Sequence, residues 1–210
     1  MRSDQLLTLT QWLSPAFPIG AFTYTHGLEA AFDAGWVRDG PSLQAWLTDL
    51  LTLGSAKADA HFLSASYLGD AREVDQVARA FAPCAERLLE AEAQGRAFAQ
   101  TVGRVWGRDL DGLIYPVALG RAARLEGLPV DLTLTLYLQA FVTSLVTNAQ
   151  RLGPIGQTEA QLILRDLTPA LEATALEASE SDLSHVASAT FLSDIAAMKH
   201  ETQHSRIFRS

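Results

Sequence analysis

The stretch from Val130 to Arg151 limits the possible folds more than any other part of the chain. Val130, Leu132, Leu134, Leu136 and Leu138 alternate with Asp131, Thr133, Thr135 and Tyr137, which is the period of a strand. Phe141, Val142, Leu145 and Val146 then continue at helical spacing, and no nearby segment offers a second strand. A lone strand leaves its backbone donors and acceptors unpaired. Leu132 to Arg151 is therefore expected to be a central helix, apolar on most sides and buried. The wider run from Leu128 to Ala149 is interrupted by Asp131, Gln139, several threonines and Asn148. Spanning a bilayer takes roughly 20 predominantly apolar residues, so this segment reads as too polar for that.

Helical spacing recurs elsewhere. Leu43, Trp46, Leu47, Leu50 and Leu51 draw one stripe, and Asp39-Gly40-Pro41 just before them supplies a start signal. Phe98, Val102, Val105 and Trp106 draw another, as do Ala189, Leu192, Ile195 and Ala196. Short Gly/Pro/Asp clusters at 14–20, 36–41, 108–112, 127–129 and 153–156 separate the stripes. There is no low-complexity linker or fixed-period repeat. These features predict one all-α domain over residues 1–210, a helical bundle of roughly ten helices.

Charge removes several functions. The formal charge of -8 and pI near 5.0 argue against a nucleic-acid binder, which needs a basic face. Lysine occurs only at Lys57 and Lys199, so no polybasic segment addresses an anionic membrane. The single cysteine, Cys84, forms no intrachain disulfide and suits a reducing compartment. Met1-Arg2-Ser3-Asp4 opens a short amphipathic stretch without the apolar core of a signal peptide. A soluble, cytoplasmic protein is expected.

The sharpest catalytic pattern is His200-Glu201-Thr202-Gln203-His204, an H-E-x-x-H match. On a helix its two imidazoles share a face and bind one zinc ion while the glutamate activates water. A zinc-dependent hydrolase is thus one alternative. It lacks a third ligand, because 205–210 contain no His, Asp, Glu or Cys. The blander reading is a polar face at a helix end, where histidine and Lys199 complement the helix dipole. Asp59-Ala60-His61 places two ligand types at i and i+2, which point apart on a helix, so solvated or capping roles are expected. Cys84 has no neighbouring histidine and reads as a buried or inert thiol. Phosphate loops, dinucleotide fingerprints, nucleophile elbows and C-x-x-C pairs do not occur in the sequence.

Three longer segments carry a family resemblance. The run from Leu13 to Glu29, LSPAFPIGAFTYTHGLE, resembles the N-terminal motif of UreF urease accessory proteins, close to S-P-A-L-P-V-G-G-F-S-Y-S-Q-G-L-E. The second segment is Ser144 to Gln161, whose centre Arg151 to Thr158, RLGPIGQT, is similar to that family's R-L-x-P-L-G-Q-T-D. The segment from His200 to Ser210, HETQHSRIFRS, is similar to H-E-T-Q-Y-S-R-L-F-R-S, and Tyr115 to Gly120 adds a shorter match. Ala21 replaces a common glycine, His26 a frequent glutamine and His204 a frequent tyrosine. The last replacement is what creates the apparent zinc motif.

The resemblance implies an all-α, dimeric, non-catalytic scaffold. Such a protein binds UreD (UreH in some organisms), recruits the GTPase UreG, and activates the urease apoprotein by GTP-dependent nickel insertion. Nickel and GTP are handled by the partner complex, and no metal or cofactor is expected on this chain. Partner contacts are expected at Pro15, Pro18, Gly20, Tyr24, Gly27 and Glu29, at Tyr115, at Arg151, Gly156 and Gln157, and at Arg206, Ile207, Phe208, Arg209 and Ser210. From the residues alone, Ser14 to Gly20 is a rigid connector fixed by two prolines, and Arg151 to Gln157 a helix-ending turn. Ile207 and Phe208 need either an intramolecular groove or a partner's surface. The resemblance favours UreD, with the flanking arginines at the rim.

Overall fold

Asp39 does what its position before a proline suggests. Its carboxylate accepts the Ser42 N–H (3.0 Å) while Ser42 Oγ accepts the Asp39 N–H (3.1 Å), so two donors at the helix start are satisfied reciprocally. Asp70 caps the helix after next, accepting the Arg72 N–H at 2.7 Å. The computed structural model describes residues 2–180 and 182–210, and among them every regular element is helical. The helices are α1 (Ser3–Trp12), α2 (Leu28–Asp33), α3 (Gly40–Leu53), α4 (Ser55–Leu68), α5 (Ala71–Ala80) and α6 (Ala85–Trp106). They continue with α7 (Tyr115–Leu125), α8 (Val130–Leu152), α9 (Gln157–Asp166), α10 (Thr168–Glu180) and α11 (Phe191–His200). Two short 3-10 turns, Ala21–Thr23 and Leu183–His185, complete the set.

One contiguous core runs from Leu9 in α1 to Ala196 in α11. Its most extensive contact joins α4 to α7, followed by α6 with α7 and α8 with α10. Gly120 makes the first of these possible: a Cβ there would collide with the Leu63 carbonyl and the Ser66 hydroxyl of α4. Trp12 packs edge-on against Phe98 (5.5 Å) and Trp106 (5.4 Å), fastening α1 to α6.

The central segment is a helix, as its continuation predicts, and it extends to Val130 and Leu152. It is not buried on most sides, however. Leu134, Leu138, Val142, Leu145 and Val146 face the core, whereas Leu136, Gln139, Ala140 and Thr143 line an open cleft. By length and hydropathy α8 is long and apolar enough to cross a membrane, contrary to the expectation from its polar interruptions, a property that core helices of soluble proteins share. The stripe in α3 faces inward throughout. In α6, Phe98 and Val102 are buried but Val105 is exposed. The stripe read around α11 is split: Leu192 and Ile195 point out, Ala196 points in together with Ser193, Ala197 and His200, and Ala189 lies before the helix.

Candidate functional site

Gly27 explains why Leu192 and Ile195 of α11 face outward. With φ at 79° it opens α2 in a left-handed conformation, and a Cβ there would lie 2.5 Å from the Ala197 nitrogen. Backbones that approach so closely leave room only for small side chains, so alanines occupy the buried face and the large residues are turned outward. His26 precedes it at φ 55°, a sparsely populated conformation for a residue with a side chain.

The tail that follows α11 is threaded between α2, α6 and the end of α8. Glu29, buried on α2, accepts the N–H groups of Ile207 (2.6 Å) and Phe208 (2.9 Å). The Arg209 N–H donates to Thr23 O (2.8 Å), and Thr25 donates both its N–H (2.5 Å) and its hydroxyl to Ser210 O. Arg151, at the end of α8, stacks its guanidinium 4.7 Å above the Phe208 ring. Asn148, one turn earlier, donates to Tyr24 O (2.8 Å). Three segments that lie far apart in the sequence, 20–29, 148–153 and 200–210, thus meet in one seam.

The expectation for Ile207 and Phe208 divides here. Phe208 is buried within the chain, against the prediction that a partner covers it, while Ile207 is 61% exposed. Arg206, Arg209 and Arg151 are exposed, and Ser210 is buried with its hydroxyl donating to Glu90 (3.0 Å). Tyr24, Gly27 and Glu29 are buried supports of the seam. Pro15 and Pro18 are exposed in the connector, and Gly20 takes φ 74° at its end. Gly156 and Gln157 are exposed at the start of α9, beyond a turn where Gly153 abuts the Phe32 ring. Tyr115 lies elsewhere, in the wall of a cleft beside Tyr137, its ring packed edge-on against the buried Phe98.

That cleft, about 400 Å³, lies between the Ser14–Phe22 segment and the open side of α8. Its walls are largely apolar and its floor is charged. Glu90 receives Arg87, His26 (3.1 Å) and Gln94 (2.9 Å) as well as Ser210, so the floor and the tail share one carboxylate. Burial alone would raise the pKa of Glu90, but Arg87, with help from His26, holds it down at about 2. Asp59 is half-buried and accepts the Tyr137 hydroxyl (2.9 Å), and burial raises its pKa despite nearby Arg87. Burial likewise raises the phenols of Tyr115 and Tyr137. His61, on the other side of α4, is 2% exposed, with its pKa lowered chiefly by burial. The solvated or capping roles expected for Asp59 and His61 are therefore wrong, although the two side chains do diverge.

The H-E-x-x-H pattern does not form a site. α11 ends at His200, so His204 falls in the tail, exposed, instead of one turn along the same helical face. His200 is fully buried between Glu29 and Glu86, which also overturns the reading of it as part of a polar face. Among the described residues no group of three or more His, Cys, Asp or Glu is arranged to hold a metal. Cys84 is half-buried at the start of α6, its thiol pushed up by burial. Sequence reasoning missed Glu86, Arg87 and Glu90, which belong to no local motif, and gave no role to Asn148, which lies within the Ser144 to Gln161 segment. The only local signal is their placement on helix faces otherwise lined by core residues.

A family model described as UreF matches residues 37–168. Over 210 residues the chain is 51% identical to the urease accessory protein UreF of Ruegeria pomeroyi (strain ATCC 700808 / DSM 15171 / DSS-3), covering 98% of this chain and 97% of that one. It is 48% identical over 213 residues to the namesake of Roseobacter denitrificans (strain ATCC 33942 / OCh 114), covering 100% and 96%. It is 50% identical over 209 residues to that of Cereibacter sphaeroides (strain KD131 / KCTC 12085), covering 99% and 100%.

Proposed function

Since the chain belongs to the UreF family of urease accessory proteins, we propose that it is a non-catalytic scaffold that docks UreD (UreH) through its tail seam. Together with the GTPase UreG, the resulting complex activates the urease apoprotein by GTP-dependent nickel insertion. The protein works in the cytoplasm as a homodimer, and nickel and GTP are handled by its partners. The observation that carries this reading is the convergence of 20–29, 148–153 and 200–210 on one seam. Phe208 and Ser210 anchor the tail there while Arg206, Ile207 and Arg209 remain outward.

The helix leading into the tail supports the same surface. Phe191 is 74% exposed, and Leu192, Ile195 and Met198 are each exposed on its outer face. Spaced at i, i+1, i+4 and i+7, these four large apolar side chains share one side of α11, the kind of exposed apolar surface that marks a protein contact. Beside them, the arginines of the tail supply charge-assisted hydrogen bonds for the rim.

Co-purification with UreD and UreG, with and without nickel and GTP, tests the reading. Ile207→Asp together with Ile195→Asp should abolish UreD capture and urease activation while leaving the fold intact. Undiminished capture by that variant would show that UreD binds elsewhere. Light scattering at micromolar concentration tests the dimer, and metal analysis of the purified chain tests the absence of a resident metal.

A further inference from the structure

A second cleft, about 320 Å³, opens between α4, the end of α5, the start of α6 and α11. Its walls are mostly apolar: the Phe62 and Phe81 rings meet edge-on at 5.7 Å, and Leu88 and Ile114 add to them. Two carboxylates also line it, Asp59 of α4 and Asp194 of α11. Among the described residues Arg87 is the one cation that does so, and it is held by Glu90. Asp59 has the Tyr137 hydroxyl as a donor at 2.9 Å. Asp194 is half-buried, and among the described residues no group donates to its carboxylate. Burial raises both carboxyls, against the pull of Arg87. A carboxylate that loses water without gaining a donor costs free energy, so the cleft favours a cation that brings one.

Asp194 and Met198 lie one turn apart on the same side of α11, and both border this cleft. Met198 also belongs to the exposed row with Phe191, Leu192 and Ile195, so the cleft adjoins the apolar surface assigned to the partner. We propose that this cleft is a socket for one basic side chain, arginine or lysine, of the protein that docks on α11. The apolar walls take its stem, and Asp194 and Asp59 take its charge. Long cationic side chains have this shape, with methylenes behind a charged head. A purely apolar side chain would fill the cleft but leave Asp194 unpaired, and an acidic one would be repelled by both carboxylates. Lys199, the residue after Met198, does not fill the socket from within, because it lies 4.8 Å over the Trp36 ring. That the docking protein is UreD rests on the reading given above; the preference for a cation does not.

Carbon-13 NMR of the full chain, labelled at aspartate carboxyls and methionine methyls, tests that preference without a partner. The probe is n-butylguanidinium, and n-butylurea, neutral and of nearly the same shape, is its control. The guanidinium compound should shift the Asp194 carboxyl and the Met198 methyl. It should bind about tenfold more tightly than the urea, the size expected for one charge-assisted hydrogen bond. Asp194→Asn keeps the shape of the side chain and should erase the difference. No shift with n-butylguanidinium, equal binding of the two probes, or a preference that survives in Asp194→Asn would overturn the socket. With UreD, Asp194→Asn should weaken binding about tenfold and flatten its salt dependence. Wild-type affinity in that variant, where Ile207→Asp with Ile195→Asp abolishes capture, would overturn the proposal and spare the docking surface. Undiminished capture by the double variant would overturn the UreD reading alone, because the probes test the socket without it.

Discussion

α3 and α11 each carry an apolar repeat, but α3 buries the large side chains of its repeat and α11 leaves its own outside. In α3, Leu43, Trp46, Leu47, Leu50 and Leu51 all enter the core. In α11, Phe191, Leu192, Ile195 and Met198 stay outside, while two alanines, a serine and a histidine are buried. Hydrophobic burial stabilises the first helix, whereas close backbone packing and a buried charge cluster seat the second. A helix that keeps its large side chains out of a core already formed beneath it has them free for another protein. Periodicity identifies an apolar face; the neighbouring backbone decides where that face points.

The sharpest way to separate the two seats is to remove a charge beneath the tail. Glu90→Gln leaves Arg87 buried without its carboxylate and should cost about 3–5 kcal/mol in chemical denaturation. The acid limb of the stability profile should change with it. Glu90 is held at about 2, below its ordinary 4.5, so its contribution is complete above the higher value and is lost as pH falls toward the lower. The variant should therefore show a shallower decline between them, and an unchanged acid limb would remove Glu90 from the account. Leu47→Ala probes the apolar seat of α3 and should cost about 2–5 kcal/mol, with no comparable pH dependence. Gly27→Ala puts a Cβ against the α11 backbone at a positive φ and should cost about 1–3 kcal/mol. Amide exchange should then rise in α11 and the tail and remain unchanged in α3; uniform loosening would mean that the two seats are not separate. Smallest of all, Ile195→Ser should alter stability by no more than about 0.5 kcal/mol. If it unfolds the protein, the outer face of α11 is not free.

Much of the helical architecture was legible because it is local. The Asp39-Gly40-Pro41 start, the stripe of α3 and the continuation past Leu138 each place a helix with information from a few adjacent residues. The three segments of the seam were legible as motifs, but their meeting was not. Thr25 touches Ser210 across nearly the whole chain, and no periodicity encodes that contact. The buried charges were the least legible. Glu86 and Glu90 look like ordinary polar positions on α6, and only the fold brings His200 and Arg206 to one and Ser210 to the other. His200 drew attention through a zinc pattern whose helical premise fails, because α11 ends on that residue. Outside the family resemblance, the tail's two apolar residues gave no indication that one would be buried and its neighbour exposed.

The contact of Gly120 with Leu63 also joins parts of the chain that leave the ribosome at different times. α4 is made well before α7, α8 and α10, all of which pack on it, so its buried face of alanines, Phe62 and Leu63 has no complete cover until they arrive. Closing so long a loop costs entropy before any contact compensates it. Folding of the centre must therefore wait for the second half of the chain, and during synthesis α4 is a segment in need of protection. A glycine that looks like a packing detail in the finished molecule thus sits at the contact through which the second half of the chain closes over the first.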